Sequence, residues 1–264
     1  MSKLPVANKN LGQHFLTSEK VINKICENFA SECDIIVEVG PGPGILTEKL
    51  SKLEKPLYVI EKDKRFEEKL KEFVKKENIF MLDALKFSWS KFNRVNKLEG
   101  KKIWLVSNLP YNVGTVLYTN FLEIPSIQYM TLMFQKEVGQ KTYIRELKNQ
   151  MNGLLFLSTN YFHSKQLIKV PPGCFSPPPK VDSVVVSYER KENPEVSIED
   201  FKELNSFLRL AFGMKRKQLF KVLKARFQVE QLDQAYKKHQ IPLSIRAEAL
   251  TIEQVLNLYK ELSQ

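Results

Sequence analysis

The sequence contains few of the residues that crosslink small proteins or bind metal ions. Its 264 residues include three cysteines and three histidines, without a Cys-x-x-Cys pair or a histidine cluster at metal-ligand spacing. No apolar run approaches the roughly 18–20 residues that span a membrane. The first ten residues also lack the apolar segment of a secretory signal. We therefore expect a cytoplasmic protein with reduced thiols, no metal ion and no membrane partner.

Acidic residues are missing from the stretch 209–226, in which seven of 18 positions are Lys or Arg. The whole chain has a net charge of +11, and so basic a segment is typical of a surface that binds a polyanion. If a helix begins near Lys215, three lysines fall at i, i+4 and i+7 on one face. These are Lys217, Lys221 and Lys224. The alternative is a solvated helix face that is basic for solubility.

Short apolar runs alternate with helical stretches up to about residue 190, which is typical of a doubly wound α/β domain. The candidate strands are residues 35–39, 57–61, 79–82, 103–107, 128–134, 167–170 and 181–188. From residue 198 onward the periodicity is helical, without a convincing strand. The sequence therefore predicts an α/β domain over residues 1–190 and a small all-α domain over residues 191–264.

A glycine-rich turn follows the first candidate strand, where Gly40, Gly42 and Gly44 alternate with prolines. Glycine lets the backbone approach a ligand closely, but this spacing differs from the Gly-x-Gly-x-x-Gly of dinucleotide-binding folds. Glu61 ends the second strand and could hold both ribose hydroxyls of an adenosine-containing ligand. Asp83 follows the third strand and could accept from the adenine amine, although either carboxylate could simply cap its strand end. Together these residues favour a nucleoside with a short charged tail, and S-adenosylmethionine matches best.

The most informative segment is Asn-Leu-Pro-Tyr at residues 108–111, directly after an apolar strand. The Asn108 side-chain oxygen can accept a hydrogen bond from the exocyclic amine of a base. Such a bond strengthens as the nitrogen gains positive charge during attack on a methyl group. Tyr111 offers a flat ring on which an extruded base can stack. The alternative is an ordinary turn that closes a strand.

Taken together, these motifs resemble those of the KsgA-type ribosomal RNA adenine N6,N6-dimethyltransferases over nearly the whole chain. The similar segments are residues 10–16, 38–44, 61–63, 83–84, 108–111, 175–183, 211–219 and 246–251. The resemblance implies a class I, Rossmann-like methyltransferase domain in which Asn108 orients the target amine. It also implies that Tyr111 and Phe175 sandwich the flipped adenine.

The resemblance further implies two sets of binding residues. Cofactor contacts are expected from Gln13, His14, Leu16, Glu38, Gly40, Gly42, Glu61, Asp83 and Asn108. RNA contacts are expected from Arg209, Lys215, Arg216, Lys217, Lys221 and Lys224. The family pattern has Arg where this chain has Lys215 and Asn where it has Lys221. Both differences keep or add positive charge, so they affect the detail of RNA contact more than its existence.

The expected reaction is dimethylation of N6 on two adjacent adenines in the 3′-terminal hairpin loop of small-subunit rRNA, with S-adenosylmethionine as methyl donor. The expected partner is the assembling small ribosomal subunit, and the enzyme is expected to be monomeric. Macrolide-resistance methyltransferases of large-subunit rRNA share most N-terminal motifs and remain one alternative. A second alternative is a non-enzymatic RNA-binding assembly or transcription factor on the same fold.

Overall fold

The computed structural model describes residues 12–144 and 150–263, and the chain divides into two compact units. The first unit takes the chain up to Gln140 together with His163–Arg190. The second takes Lys141–Phe162 and Lys191–Gln264. One break between the units falls after Arg190. The inclusion of residues 141–162 in the second unit differs from the division expected from the sequence.

The strands of the first unit form a seven-stranded sheet and a two-stranded pair. The main sheet consists of β2 (Ile35–Val39), β3 (Leu57–Glu61), β4 (Ile79–Met81), β5 (Ile103–Asn108), β6 (Ile127–Gln135), β7 (Phe162–Val170) and β9 (Ser183–Arg190). Its strand order is β4-β3-β2-β5-β6-β9-β7. Strands β2 to β6 pair in parallel, and β9 runs antiparallel to β6. The α/β class predicted from the sequence is confirmed.

The two-stranded pair joins β1 (Phe15–Leu16) to β8 (Phe175–Ser176) in antiparallel register. Leu16 lies opposite Phe175, and both side chains are buried. The sequence analysis did not anticipate these strands, because two residues are too few to show alternation.

The helices flank the sheet of the first unit and form most of the described second unit. Those of the first unit are α1 (Glu19–Cys26), α2 (Thr47–Leu50), α3 (Glu67–Leu70), α4 (Trp89–Val95), α5 (Gly114–Leu122) and α6 (Lys136–Gly139). Those of the second unit are α7 (Gly153–Tyr161), α8 (Phe201–Gly213), α9 (Leu219–Leu223), α10 (Val229–Lys238) and α11 (Ile252–Leu262). None of the helices in the described ranges has the length and apolar character that a membrane crossing requires.

Helix α7 belongs to the second unit because its contacts lie with the C-terminal part of the chain. The Asn160 amide donates to the Val196 carbonyl at 3.0 Å and accepts from the Val196 N–H at 3.1 Å. A Cβ on Gly153 would lie 3.4 Å from the Leu208 side chain in α8. An apolar periodicity indicates that a helix is buried, but it does not indicate which neighbour covers it.

The core of the first unit surrounds the central strands β2 and β5. All five residues of β2 are buried, as are the first five of β5. Near-continuous β-branched and apolar runs of this kind are typical of parallel strands covered on both faces. Because β2, β3, β4 and β5 are parallel, their carboxyl ends meet at one edge of the sheet, where α/β folds bind ligands.

Candidate active site

The turn after β2 wraps around the end of β3. Gly40 and Gly42 have φ angles of +69° and +56°, in the left-handed region that side chains other than glycine rarely adopt. The Gly40 N–H donates to the Ile60 carbonyl at 2.9 Å. The Gly42 N–H donates to Glu61 Oε2, also at 2.9 Å. The glycine turn and the Glu61 carboxylate therefore form one structural feature.

Glu61 is buried and accepts a second backbone hydrogen bond, from the Asp63 N–H at 2.7 Å. Burial raises the pKa of Glu61, while the N–H groups of Asp63 and Gly42 act in the opposite direction. These backbone bonds hold the carboxylate in a fixed orientation at the sheet edge.

Glu38, within β2, is a second buried carboxyl, with only 2% of its surface exposed. The Thr47 hydroxyl donates to Glu38 Oε2 at 2.6 Å. Burial raises the pKa of Glu38 to about 8, the hydroxyl bond lowers it, and the nearby Glu61 charge raises it further. At neutral pH Glu38 is therefore mainly a neutral carboxylic acid.

Asp83 and Asp63 form ion pairs near the ends of β4 and β3. Lys62 Nζ lies 2.7 Å from Asp83 Oδ2, and this bond is the main cause of the lowered pKa of Asp83. Asp83 also accepts from the Leu85 N–H at 3.0 Å, so it caps the short 3-10 helix Ala84–Lys86 that follows β4. Arg65 binds Asp63 and is the main cause that lowers its pKa to about 2.

The Asn108 amide lies at the carboxyl end of β5, and its orientation is set by the segment before β1. Its Nδ2 donates to the His14 carbonyl oxygen at 3.1 Å. Since only the nitrogen end of the amide can donate to a carbonyl, Oδ1 is the atom left to accept a hydrogen bond. Oδ1 accepts none from the residues that the structure describes.

The Tyr111 ring is half-buried and held by two contacts. Its hydroxyl lies 2.7 Å from Ser183 Oγ, and its ring stacks on His14 with centroids 5.5 Å apart and an interplanar angle of 28°. Burial raises the pKa of Tyr111, so the phenol is neutral at physiological pH. Phe175 is 4% exposed and packs in the apolar core. Within the described residues Phe175 does not line the cleft or contact the Tyr111 ring.

The structure brings all the other predicted cofactor and catalytic residues to a single cleft, whose volume is about 1150 Å³ including its open mouth. The predicted residues that line it are Gln13, His14, Leu16, Glu38, Gly40, Gly42, Glu61, Asp83, Asn108 and Tyr111. Apolar side chains that the sequence analysis did not name also line it, among them Ile45, Ile60, Leu82 and Leu117. Ile60 and Leu82 directly precede Glu61 and Asp83, and Ile45 follows the glycine turn, so these three could have been inferred. Leu117 lies within α5 and has no such signal.

Sequence reasoning also missed Thr47 and Ser183, whose side chains orient Glu38 and Tyr111. Ser183 lies at the end of the 175–183 motif segment and Thr47 lies three residues after the 38–44 segment, but their partners are 72 and 9 positions away along the chain. Only the folded register therefore reveals these pairs.

The predicted RNA-binding residues lie in the second unit and are all exposed. They are Arg209 in α8, Lys215, Arg216 and Lys217 in the following turn, Lys221 in α9, and Lys224 at its C-terminal end. The predicted helical stripe is wrong in one respect, because α9 begins at Leu219 rather than near Lys215. Lys217 closes a turn through its N–H to the Met214 carbonyl at 3.0 Å. In the described parts of the chain, no group of three or more His, Cys, Asp or Glu side chains could hold a metal ion.

The fold and the cleft at the carboxyl ends of β2 to β5 define a Rossmann-like methyltransferase. The crystal structure of a dimethyladenosine transferase from Plasmodium falciparum is similar, with a TM-score of 0.75 and 25% identity over 93% of this chain and 96% of that one. The 23S rRNA methyltransferase ErmE shares the fold, with a TM-score of 0.68 and 24% identity over 95% and 100% of the two chains.

Sequence comparison identifies the family more closely. The ribosomal RNA adenine dimethylase family matches residues 6–264. A curated relative, ribosomal RNA small subunit methyltransferase A of Clostridium botulinum, is 37% identical over 254 residues, which cover 94% of this chain and 90% of the relative. The chain belongs to the ribosomal RNA adenine dimethylase family and is an rRNA adenine dimethyltransferase.

Proposed function

We propose that this enzyme dimethylates N6 of two adjacent adenines in the 3′-terminal hairpin loop of small-subunit rRNA, with S-adenosylmethionine as methyl donor. The observation that carries the proposal is the Asn108 amide, fixed through the His14 carbonyl with its acceptor oxygen uncommitted, in a cleft that also contains strand-end carboxylates. We further propose that it acts on the assembling small subunit in the cytoplasm, as a monomer and without a metal ion.

The donor and acceptor groups of the cleft fit S-adenosylmethionine. Glu61 is proposed to accept from the ribose hydroxyls and Asp83 from the adenine amine, while Ile60 and Ala84 offer apolar contact to the base. The turn at Gly40 brings backbone close to the ligand, and a Cβ there would meet no atom within 4 Å. When bound, the cofactor supplies a methyl group activated by an adjacent sulfonium.

The residues that act on the adenine are proposed to be Asn108 and Tyr111. Asn108 Oδ1 accepts a hydrogen bond from N6 and holds the amine in line with the incoming methyl group. This bond strengthens as N6 gains positive charge, so it stabilises the transition state more than the bound substrate. The exposed part of the Tyr111 ring stacks on the flipped base.

Two features support the choice of small-subunit RNA. Curated relatives at about 35% identity are described as small-subunit methyltransferases, and they match this chain almost end to end. The basic side chains around the turn after α8 provide a surface that can follow a phosphate backbone, while the cleft selects the adenine. The family match runs to residue 264 and so includes the C-terminal half, where residues 211–219 and 246–251 resemble the KsgA-type pattern.

The decisive experiment incubates the protein with labelled S-adenosylmethionine and either undermethylated small subunits or large subunits, and then maps the modified nucleotides. We expect dimethyladenosine at two adjacent positions of the small-subunit 3′ hairpin. Asn108→Ala should lower the rate by about 10²–10³, with cofactor affinity retained within a few-fold. Methylation of large-subunit RNA alone would contradict the proposal, as would cofactor binding without methyl transfer to either subunit.

A further inference from the structure

His14 makes contact with each part of the candidate adenine site. Its backbone carbonyl accepts from Asn108 Nδ2 at 3.1 Å, and its ring stacks on Tyr111 at 5.5 Å. Its Nδ1 lies 2.8 Å from the Pro177 carbonyl. Because a carbonyl only accepts, Nδ1 carries a proton and donates in this bond. One residue therefore links the catalytic amide, the stacking ring and the segment after β8.

The segment after β8 is attached to the site at a second point. Ser183 at the start of β9 is fully buried and bonds the Tyr111 hydroxyl at 2.7 Å. Tyr111 is thus held at its hydroxyl by Ser183 and on one face by His14, which itself is held by Pro177. Because His14 covers one face, a stacked base is left with the opposite face of the Tyr111 ring.

We propose that His14 is a positioning residue for the target adenine, which fixes the Tyr111 ring through stacking and through its side-chain bond to the Pro177 carbonyl. This inference rests on the proposed function, and it gives His14 a role beyond the cofactor contact expected from the resemblance. The position of Phe175 agrees with it, since the ring that contacts Tyr111 is that of His14, whereas Phe175 is buried in the core.

Two substitutions separate the contacts of the His14 side chain, and neither removes the backbone bond to Asn108. His14→Phe keeps a ring against Tyr111 but loses the donor to Pro177, whereas His14→Asn keeps an N–H donor and loses the ring. His14→Ala loses both contacts. His163→Ala is the matched control, because that histidine is exposed on β7.

The assay is methylation of undermethylated small subunits under single-turnover conditions, together with cofactor affinity by calorimetry and the melting temperature. We expect His14→Ala to lower the methylation rate by roughly 10- to 100-fold, as expected for misplaced reacting groups. Cofactor affinity should change less than threefold. His14→Phe should retain more activity than His14→Asn if stacking dominates. If His14→Asn retains more activity than His14→Phe, the bond to the Pro177 carbonyl contributes more to positioning than the stacking does.

A double-mutant cycle tests whether His14 acts through Tyr111. In a Tyr111→Ala background, His14→Ala should cause little additional loss, because residues that act as a unit are not additive. Fully additive losses, wild-type rates in all His14 variants, or a large loss of cofactor affinity would overturn the inference. A wild-type enzyme that methylates no rRNA would instead refute the proposed function.

Discussion

The buried acid Glu38 predicts a specific pH dependence of stability. Its pKa rises from an ordinary value of 4.5 to about 8, so between these pH values the folded protein keeps a proton that the unfolded chain has released. The folded state then binds more protons, and the free energy of unfolding falls as pH rises through this window. At about 1.4 kcal/mol per pH unit the full shift corresponds to roughly 5 kcal/mol.

Glu38→Gln replaces the acid by a neutral amide of similar shape, which can still accept from Thr47. We expect the free energy of unfolding of the variant, relative to wild type, to increase by about 2–5 kcal/mol from pH 5 to pH 8. Urea titrations followed by the fluorescence of the fully buried Trp104 measure this free energy, because Trp104 lies in the same structural unit as Glu38. Thr47→Val should instead extend the loss to higher pH, since the Thr47 hydroxyl bond lowers the pKa of Glu38. A difference between Glu38→Gln and wild type that does not vary with pH would refute this reasoning.

Three further predictions concern the cofactor, the core and the RNA. Glu61→Gln should weaken S-adenosylmethionine binding by about 10- to 100-fold in calorimetry, because each hydrogen bond to a charged group contributes ~1.5–3 kcal/mol; an affinity equal to that of the exposed control Glu68→Gln would contradict it. Phe175→Ala should destabilise the protein by about 3–5 kcal/mol, and lost methylation at an unchanged melting temperature would instead indicate a role at the base. Charge reversal of three exposed lysines in the basic segment should weaken binding to the small subunit and flatten its salt dependence. If this variant binds as well as a control with three lysines reversed on α4 and the loop after it, the basic segment is only a solvated face. The test set is Lys217, Lys221 and Lys224, and the control set is Lys91, Lys97 and Lys101.

Most of the cleft could be predicted because its residues lie at or beside strand ends. Glu61 and Asn108 are the last residues of β3 and β5, and Asp83 lies two positions after β4. Parallel strands bring such ends to one edge, so a correct strand assignment is enough to bring distant motifs together. The strand pattern itself was clear, since buried parallel strands read as continuous apolar runs.

The residues that could not be placed depend on long-range contacts. The direction of the Phe175 ring is set by the pairing of two short strands, which leave no periodic signal. The start of α9 is set where the Leu219 N–H donates to the Ile245 carbonyl at 2.8 Å, a partner 26 positions away. Basic composition alone could not distinguish a helical stripe from the turn in which Lys217 lies.

The division of the second unit between two chain segments affects how the protein is completed during synthesis. Helix α7 leaves the ribosome before Val196 and the helices that follow it, so a buried residue such as Asn160, whose amide bonds Val196, must wait for a later partner. The intervening residues 163–190 finish the sheet of the first unit in the meantime. Nascent chains that stop at residue 190 would therefore have a completed sheet but an uncovered apolar helix, a species prone to aggregation.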